Sequence, residues 1–127
     1  MKLVIDTNAY SGLNRGQNKP RQFITKDNTL YVPFVVIAEL KAGFLLGNKL
    51  AINEELLADF LDQPNVTTLH STYETTQIFA DLFYALRKIG KPIGSNDIWI
   101  AALCVEHDLP LLTLDTDFRY INGLKLL

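Results

Sequence analysis

Apolar residues fall along this chain in two alternating kinds of run. Short runs rich in β-branched residues, Lys2–Ile5, Leu30–Val32, Val66–Leu69 and Leu111–Leu114, predict buried strands, and Leu124–Leu127 predicts a weak fifth. Longer runs with helical spacing separate them. Phe34–Leu46 is apolar nearly all round and stops at Gly47, Glu54–Asp62 is amphipathic and stops before Pro64, and Thr72–Ile89 stops at Gly90. Ser71 and Glu74, three residues apart, give the last of these a capping-box signature. A further helix, Asn96–His107, opens on Gly94-Ser95 and carries Ile98–Leu103, a stretch too apolar for a surface helix. The basic segment Asn14–Asn28 fits neither pattern beyond a short helix over Pro20–Thr25. Strands alternating with helices predict a three-layer α/β fold, a central parallel sheet of about five strands with helices on both faces.

Composition narrows the class. A chain of 127 residues, 48% hydrophobic and 20% charged, can bury a core of its own, and no linker or repeat divides it, so residues 1–127 are expected to form one domain. No apolar run approaches the roughly 18 residues of a membrane span, and Met1–Asp6 is too short and too soon charged to act as a signal peptide. The single cysteine, Cys104, lies in an apolar helical pattern; it predicts core filling, no disulfide framework and a cytoplasmic location. The net charge of −2 argues, at first sight, against a polyanionic partner.

The placement of the acids changes that picture. Asp6 closes the first strand, Asp115 follows the fourth, and Asp117 lies two residues further on. In open parallel sheets ligands bind at the carboxyl ends of strands, so two strands deliver aspartates to one rim. Asp97 lies in the first turn of a helix whose N-terminus faces that rim and favours a carboxylate, and Glu39 sits inside an apolar helix where an unpaired charge is costly. Each acid alone has a bland reading: Asp6 or Asn8 as a helix cap, Asp97 as a dipole partner, Asp117 as a turn cap, Glu39 as a solvated helix residue. Together they need an offset, because two carboxylates about 5 Å apart repel by roughly 3 kcal/mol at an effective dielectric near 20. No histidine or cysteine set accompanies them, which disfavours zinc, and an all-oxygen site selects Mg²⁺ or Mn²⁺. The five rim acids are the candidate ligands. Thr7, Asn8, Ser95, Asn96 and Thr113 supply short polar side chains at the same rim to orient carboxylates or water. The chemistry this implies is metal-assisted hydrolysis of a phosphodiester.

These residues carry a family resemblance. Asp6-Thr7-Asn8, Ala38-Glu39-Leu40, Pro92–Ala102 around Asp97, and Leu112–Phe118 resemble, in order and spacing, the four motifs of PIN-domain nucleases. The short chain is similar to the VapC-like toxins of bacterial toxin–antitoxin pairs. The resemblance implies a PIN-like fold and a Mg²⁺- or Mn²⁺-dependent endoribonuclease with Asp6, Glu39, Asp97, Asp115 and Asp117 as its catalytic acids, the fourth ligand being Asp115 or Asp117. It also implies a homodimer and a cognate antitoxin laid into an apolar groove. Phe34, Val35, Ile37, Leu40, Phe44, Leu45 and Leu46 offer more apolar surface than one core contact uses.

Two basic clusters flank the proposed rim, Arg15, Lys19, Arg21 and Lys26 after the first motif and Arg87, Lys88 and Lys91 before the third, and either could hold RNA phosphates. Tyr10, Phe23, Tyr84, Phe118 and Tyr120 lie near them and could stack bases or fill the core. Trp99 is expected in the core or a dimer interface, and His70 and His107 at the surface, remote from the acids. Two rivals stand beside the nuclease: a catalytically inactive PIN-like module that binds RNA or protein, and a phosphomonoesterase with Asp6 as nucleophile. The second lacks an acid two residues after Asp6, where Asn8 stands. Setting the five rim acids aside leaves nine acids against 12 bases, so the charge balance no longer counts against RNA.

Overall fold

The computed structural model describes residues 1–127. It contains β1 (Lys2–Ile5), α1 (Thr7–Asn14), α2 (Asn18–Phe23), β2 (Thr29–Pro33), α3 (Phe34–Leu46), α4 (Leu50–Leu61), β3 (Val66–Leu69), α5 (Tyr73–Lys88), α6 (Ser95–His107) and β4 (Leu111–Leu112), then a 3₁₀ turn over Thr116–Tyr120. All strand pairs are parallel and the order is β3-β2-β1-β4. Leu3, Val4 and Ile5 are fully buried, as expected of a central strand covered on both faces. The chain steps outward from β1 to β2 to β3, then returns to place β4 on the other side of β1. Right-handed crossovers, the rule for parallel units, send the helices after β1 and β2 to one face and those after β3 to the other. The strand order therefore reverses between β1 and β4, and the ligand crevice of such a sheet opens there.

The sheet has four strands where the sequence pattern predicts about five. The strand that fails to form is Leu124–Leu127, and β4 itself ends at Leu112 instead of Leu114. Beyond it the Leu114 amide donates to Asn8 Oδ1 at 2.9 Å and the Asp115 amide to Thr113 Oγ1 at 3.0 Å, so side chains take the place of ladder partners. A two-residue strand offers little edge, and Leu124–Leu127 adds to it only an isolated bridge between Leu126 and Leu111.

Helix boundaries follow from their caps. α3 runs over Phe34–Leu46 and is capped by Gly47, as the apolar run predicts. α5 starts one residue late because its capping box joins Thr72 and Thr75, not Ser71 and Glu74; the Thr75 hydroxyl, fully buried, accepts from the Thr72 amide and donates to Glu106 at 2.6 Å. Gly90, at φ +69°, takes the left-handed turn that ends it. α4 begins at Leu50, four residues before the predicted start, behind an N-cap, Lys49, that makes no side-chain hydrogen bond. α1 is absent from the pattern reading altogether. Its sequence, TNAYSGLN, is poor in helix formers, and the Asp6 side chain starts it by accepting from the Ala9 amide. Tyr10 of α1 is buried edge-on against Phe60 of α4, with ring centres 5.1 Å apart.

Candidate metal centre

Asp6 ends β1 and caps α1 at once. Its Oδ1 accepts from the Ala9 amide at 2.9 Å and its Oδ2 from the Thr113 hydroxyl, a contact between the two strands that flank the crevice. The residue is 3% exposed. Burial pushes its carboxyl up to about 6, with the negative charges of Asp97 and Asp115 adding to the effect. The bland reading of Asp6 as a cap holds, and it occupies only one oxygen: Oδ1 serves the helix and Oδ2 accepts from Thr113.

Asp97 stands in the first turn of α6, half-buried. Its carboxyl is also pushed up to about 6, first by burial, then by the charges of Glu39, Asp115 and Asp117. Asp97 thus feels acids from α3 and the segment after β4, and Asp6 feels Asp97 and Asp115, which links all five acids picked from the sequence to one centre. Glu39 on α3 accepts from the Thr7 hydroxyl at 2.8 Å. Asp115 caps the 3₁₀ turn, its Oδ1 accepting from the Asp117 amide at 2.9 Å. No counter-cation offsets the group: the ion pairs of the protein join Lys41 to Glu54, Glu106 to His107 and Lys125 to Asp108.

No three of these carboxylates stand close enough to hold one ion directly among them. The donor set nevertheless suits a hydrated hard cation. Mg²⁺ keeps several waters and is held through one or two carboxylates plus substrate oxygens, and Asp6, buried, and Asp97, half-buried, both resisting ionisation, are the groups such a charge would relieve.

Of the polar residues expected to orient the acids, Thr7, Asn8 and Thr113 do so by hydrogen bond or by bracing the turn; Asn8 Oδ1 accepts from the Leu114 amide and, at 3.4 Å, faces the Thr113 hydroxyl. Asn96 does not bond to an acid. It lines a neighbouring cavity of about 440 Å³ with Phe34, His70 and Trp99. His70 thereby comes nearer the rim than its sequence distance suggests, with its ring centre 4.8 Å from that of Phe34, while His107 ends α6 far from it. Trp99 packs on Phe79 at 4.3 Å. Cys104 is buried, and burial pushes its thiol up, which leaves it inert core filling.

The basic residues Arg15, Lys19, Arg21, Arg87, Lys88 and Lys91 are all exposed. Arg87 and Lys88 lie over their own helix's Phe83 and Tyr84, and Lys91 lies 4.9 Å from the Tyr120 ring. Lys19 is bonded to the Thr113 carbonyl at 3.2 Å, which brings one member of the first cluster to the crevice. Arg119, which the sequence reading passes over, shares a cavity with Lys19 and Asp115. Its signal is its place two residues after Asp117. Of the aromatics, Tyr10 and Phe118 are buried, Phe23 and Tyr120 half-buried, and Tyr84 exposed.

Comparison with known proteins agrees with this geometry. The PIN domain family model matches residues 3–124. Ribonuclease VapC5 of Mycobacterium tuberculosis is 28% identical over 120 residues, covering 94% of this chain and 87% of that protein. Ribonuclease VapC1 of Rickettsia felis is 32% identical over 130 residues, covering 100% of this chain and 96% of that protein. Among solved structures, that of VapBC2 from Rickettsia felis bound to a DNA fragment from its promoter superposes with a TM-score of 0.86 at 25% identity, covering 100% of this chain and 98% of that one. With a family match along almost its whole length and a relative 32% identical across all of it, the chain belongs to the PIN domain family, in its VapC branch.

Proposed function

We propose that the protein is a divalent-metal-dependent endoribonuclease, the toxin of a toxin–antitoxin pair. The observation that carries the reading is the pair Asp6 and Asp97: two carboxyls held up near 6 by burial and by neighbouring acids, at the carboxyl edge of a parallel sheet where its strand order reverses. The ribonuclease names of the relatives and the VapBC complexes among the similar structures support it.

In this reading Asp6 and Asp97 hold Mg²⁺ or Mn²⁺, and Glu39 with Asp115 or Asp117 positions a second ion or its waters. A bound cation neutralises the carboxylates, polarises the phosphoryl group, activates water and stabilises the leaving oxygen. The protein supplies the positioning. Thr113 and the Ala9 amide fix both oxygens of Asp6, Thr7 aims Glu39, and Asn8 braces the turn that carries Asp115. Basic side chains around the rim, Arg15, Lys19, Arg21, Arg87, Lys88 and Lys91, attract the RNA backbone.

An antitoxin and a second copy of this chain account for apolar surface the fold leaves open: Phe34, Leu45 and Leu46 on α3 and Leu50, Ile52 and Leu56 on α4 are exposed. No helix is long and apolar enough to cross a membrane, and in this reading the protein works in the cytoplasm, on cellular RNA. The test is cleavage of RNA with Mg²⁺ or Mn²⁺, with and without chelator, by the wild type and by Asp6→Asn and Asp97→Asn. Cleavage that needs the metal and is lost in both variants is expected. Survival of cleavage in either variant at near wild-type rate would sink the assignment, and RNA binding without cleavage would favour a non-catalytic module.

A further inference from the structure

We propose that the cleft between Lys19 and Arg119 is a phosphate subsite that seats the backbone phosphate next to the one being cut, an inference that rests on the ribonuclease reading above. The two cations reach the cleft from opposite ends of the chain. Lys19, on α2, donates from Nζ to the Thr113 carbonyl, and the Thr113 hydroxyl in turn donates to Asp6. Arg119, in the turn after β4, donates from Nη2 to the Tyr120 hydroxyl at 2.7 Å, its guanidinium lying 4.8 Å from that ring's centre. With Thr113, Asp115 and Thr116 they line a cavity of about 210 Å³.

Neither cation is in an ion pair, although the charge of Asp117 acts on Arg119. The carbonyl and the phenol that hold them carry no charge. Both side chains are exposed, and one hydrogen bond each turns them into the same cleft beside the acidic site. The occupant must then be an anion presented next to the carboxylates. A phosphodiester strand meets that condition. Its scissile phosphate lies where only a bound metal can offset the acids, and the adjoining phosphate needs a counter-charge that the protein itself supplies. Asp115 lines this cleft and also acts on Asp6 and Asp97, so the cleft and the acidic centre share a wall.

The experiment compares the wild type with Lys19→Gln, Arg119→Gln and the double variant, using a short single-stranded RNA. Binding is read by fluorescence anisotropy across a salt series, cleavage by steady-state kinetics with Mn²⁺, and folding by thermal melts. Each single change is expected to raise KM about three- to tenfold with kcat within about twofold, and to make the slope of log affinity against log salt shallower by about one. Lys19→Arg, which keeps the charge, restores the slope. One neutral methylphosphonate linkage beside the cut site weakens binding to the wild type and leaves the double variant unaffected. An unchanged KM and slope in the double variant, a loss confined to kcat, or equal sensitivity of both proteins to the neutral linkage overturns the subsite. A wild type that neither binds nor cleaves RNA overturns the ribonuclease reading instead.

Discussion

The Thr113 hydroxyl donates its proton to Oδ2 of Asp6, joining two residues 107 positions apart and closing the crevice between β1 and the end of β4. Thr113 is 4% exposed, so nothing from solvent can replace it without rearrangement. Thr113→Val keeps the shape and removes the donor. The apparent affinity for Mn²⁺, read from the metal dependence of cleavage, is expected to fall about 10- to 100-fold, with Thr113→Ser retaining most of it. Wild-type metal dependence in Thr113→Val would show that Asp6 needs no such support.

The acids make the metal-free protein sensitive to pH in a definite direction. Asp6 has an ordinary value of 3.8 and stands near 6 in the fold, so the folded state binds the proton more tightly than the unfolded chain. Its contribution to stability is therefore greatest below about pH 4 and is lost as pH rises through about 6, up to about 3 kcal/mol in all. Asp97 acts in the same direction. With chelator present, Asp6→Asn is expected to melt higher than wild type at pH 7, and the gap should close towards pH 4. Urea or thermal melts across that range measure it; a gap that widens on acidification contradicts the sign.

Mn²⁺ or Mg²⁺ should reverse that penalty. A ligand that binds only the folded state raises the melting temperature with concentration. The wild type at pH 7 is expected to gain stability with added Mn²⁺ while Asp6→Asn and Asp97→Asn gain little. Equal shifts in all three would place the ion elsewhere.

Gly12 lies where α1 meets the site's supports. A Cβ there would come within 2.9 Å of Leu114 Cδ1 and 3.2 Å of Pro20 Cγ, and the Leu114 amide is the one that Asn8 holds. Gly12→Ala is expected to destabilise by about 1–3 kcal/mol in spite of alanine's better helix propensity, and to lower kcat by moving Asp115. Thr72→Ala serves as the contrast. It removes the α5 cap at a cost of about 1 kcal/mol and leaves cleavage unchanged, because α5's cap touches none of the rim acids.

What could be read before the fold was seen divides along physical lines. β1, β3 and α3 match their apolar runs residue for residue, but only β1 is buried as its run predicts; β3, at the sheet's edge, has no buried residue, and α3 buries only Val36, Ile37 and Leu40. Four of the five acids were legible because Asp6, Asp97, Asp115 and Asp117 sit beside a strand end or a helix start, junctions that can be located from hydrophobic pattern, and Glu39 stood out as a charge inside the apolar run of α3. α1 was not, because its start depends on a side chain that also serves the site and its residues lack helix propensity. The early end of β4 was hidden for a similar reason: it depends on Asn8, over 100 residues away, accepting an amide that a strand would have used. Arg119 escaped notice because a lone arginine in a polar turn has no pattern, and only the fold puts it across from Lys19.

The reversal of strand order between β1 and β4 also sets when this protein becomes dangerous. Asp6 leaves the ribosome before Thr113, Asp115 and Asp117 do. A nascent chain halted before Thr113 carries a capped α1 and most of the sheet, yet its first aspartate faces an open edge with no hydroxyl beside it. The crevice forms only when β4 slots in against β1. In the ribonuclease reading, a product that stops before Thr113 is therefore expected to leave RNA uncut, because its crevice has only one wall.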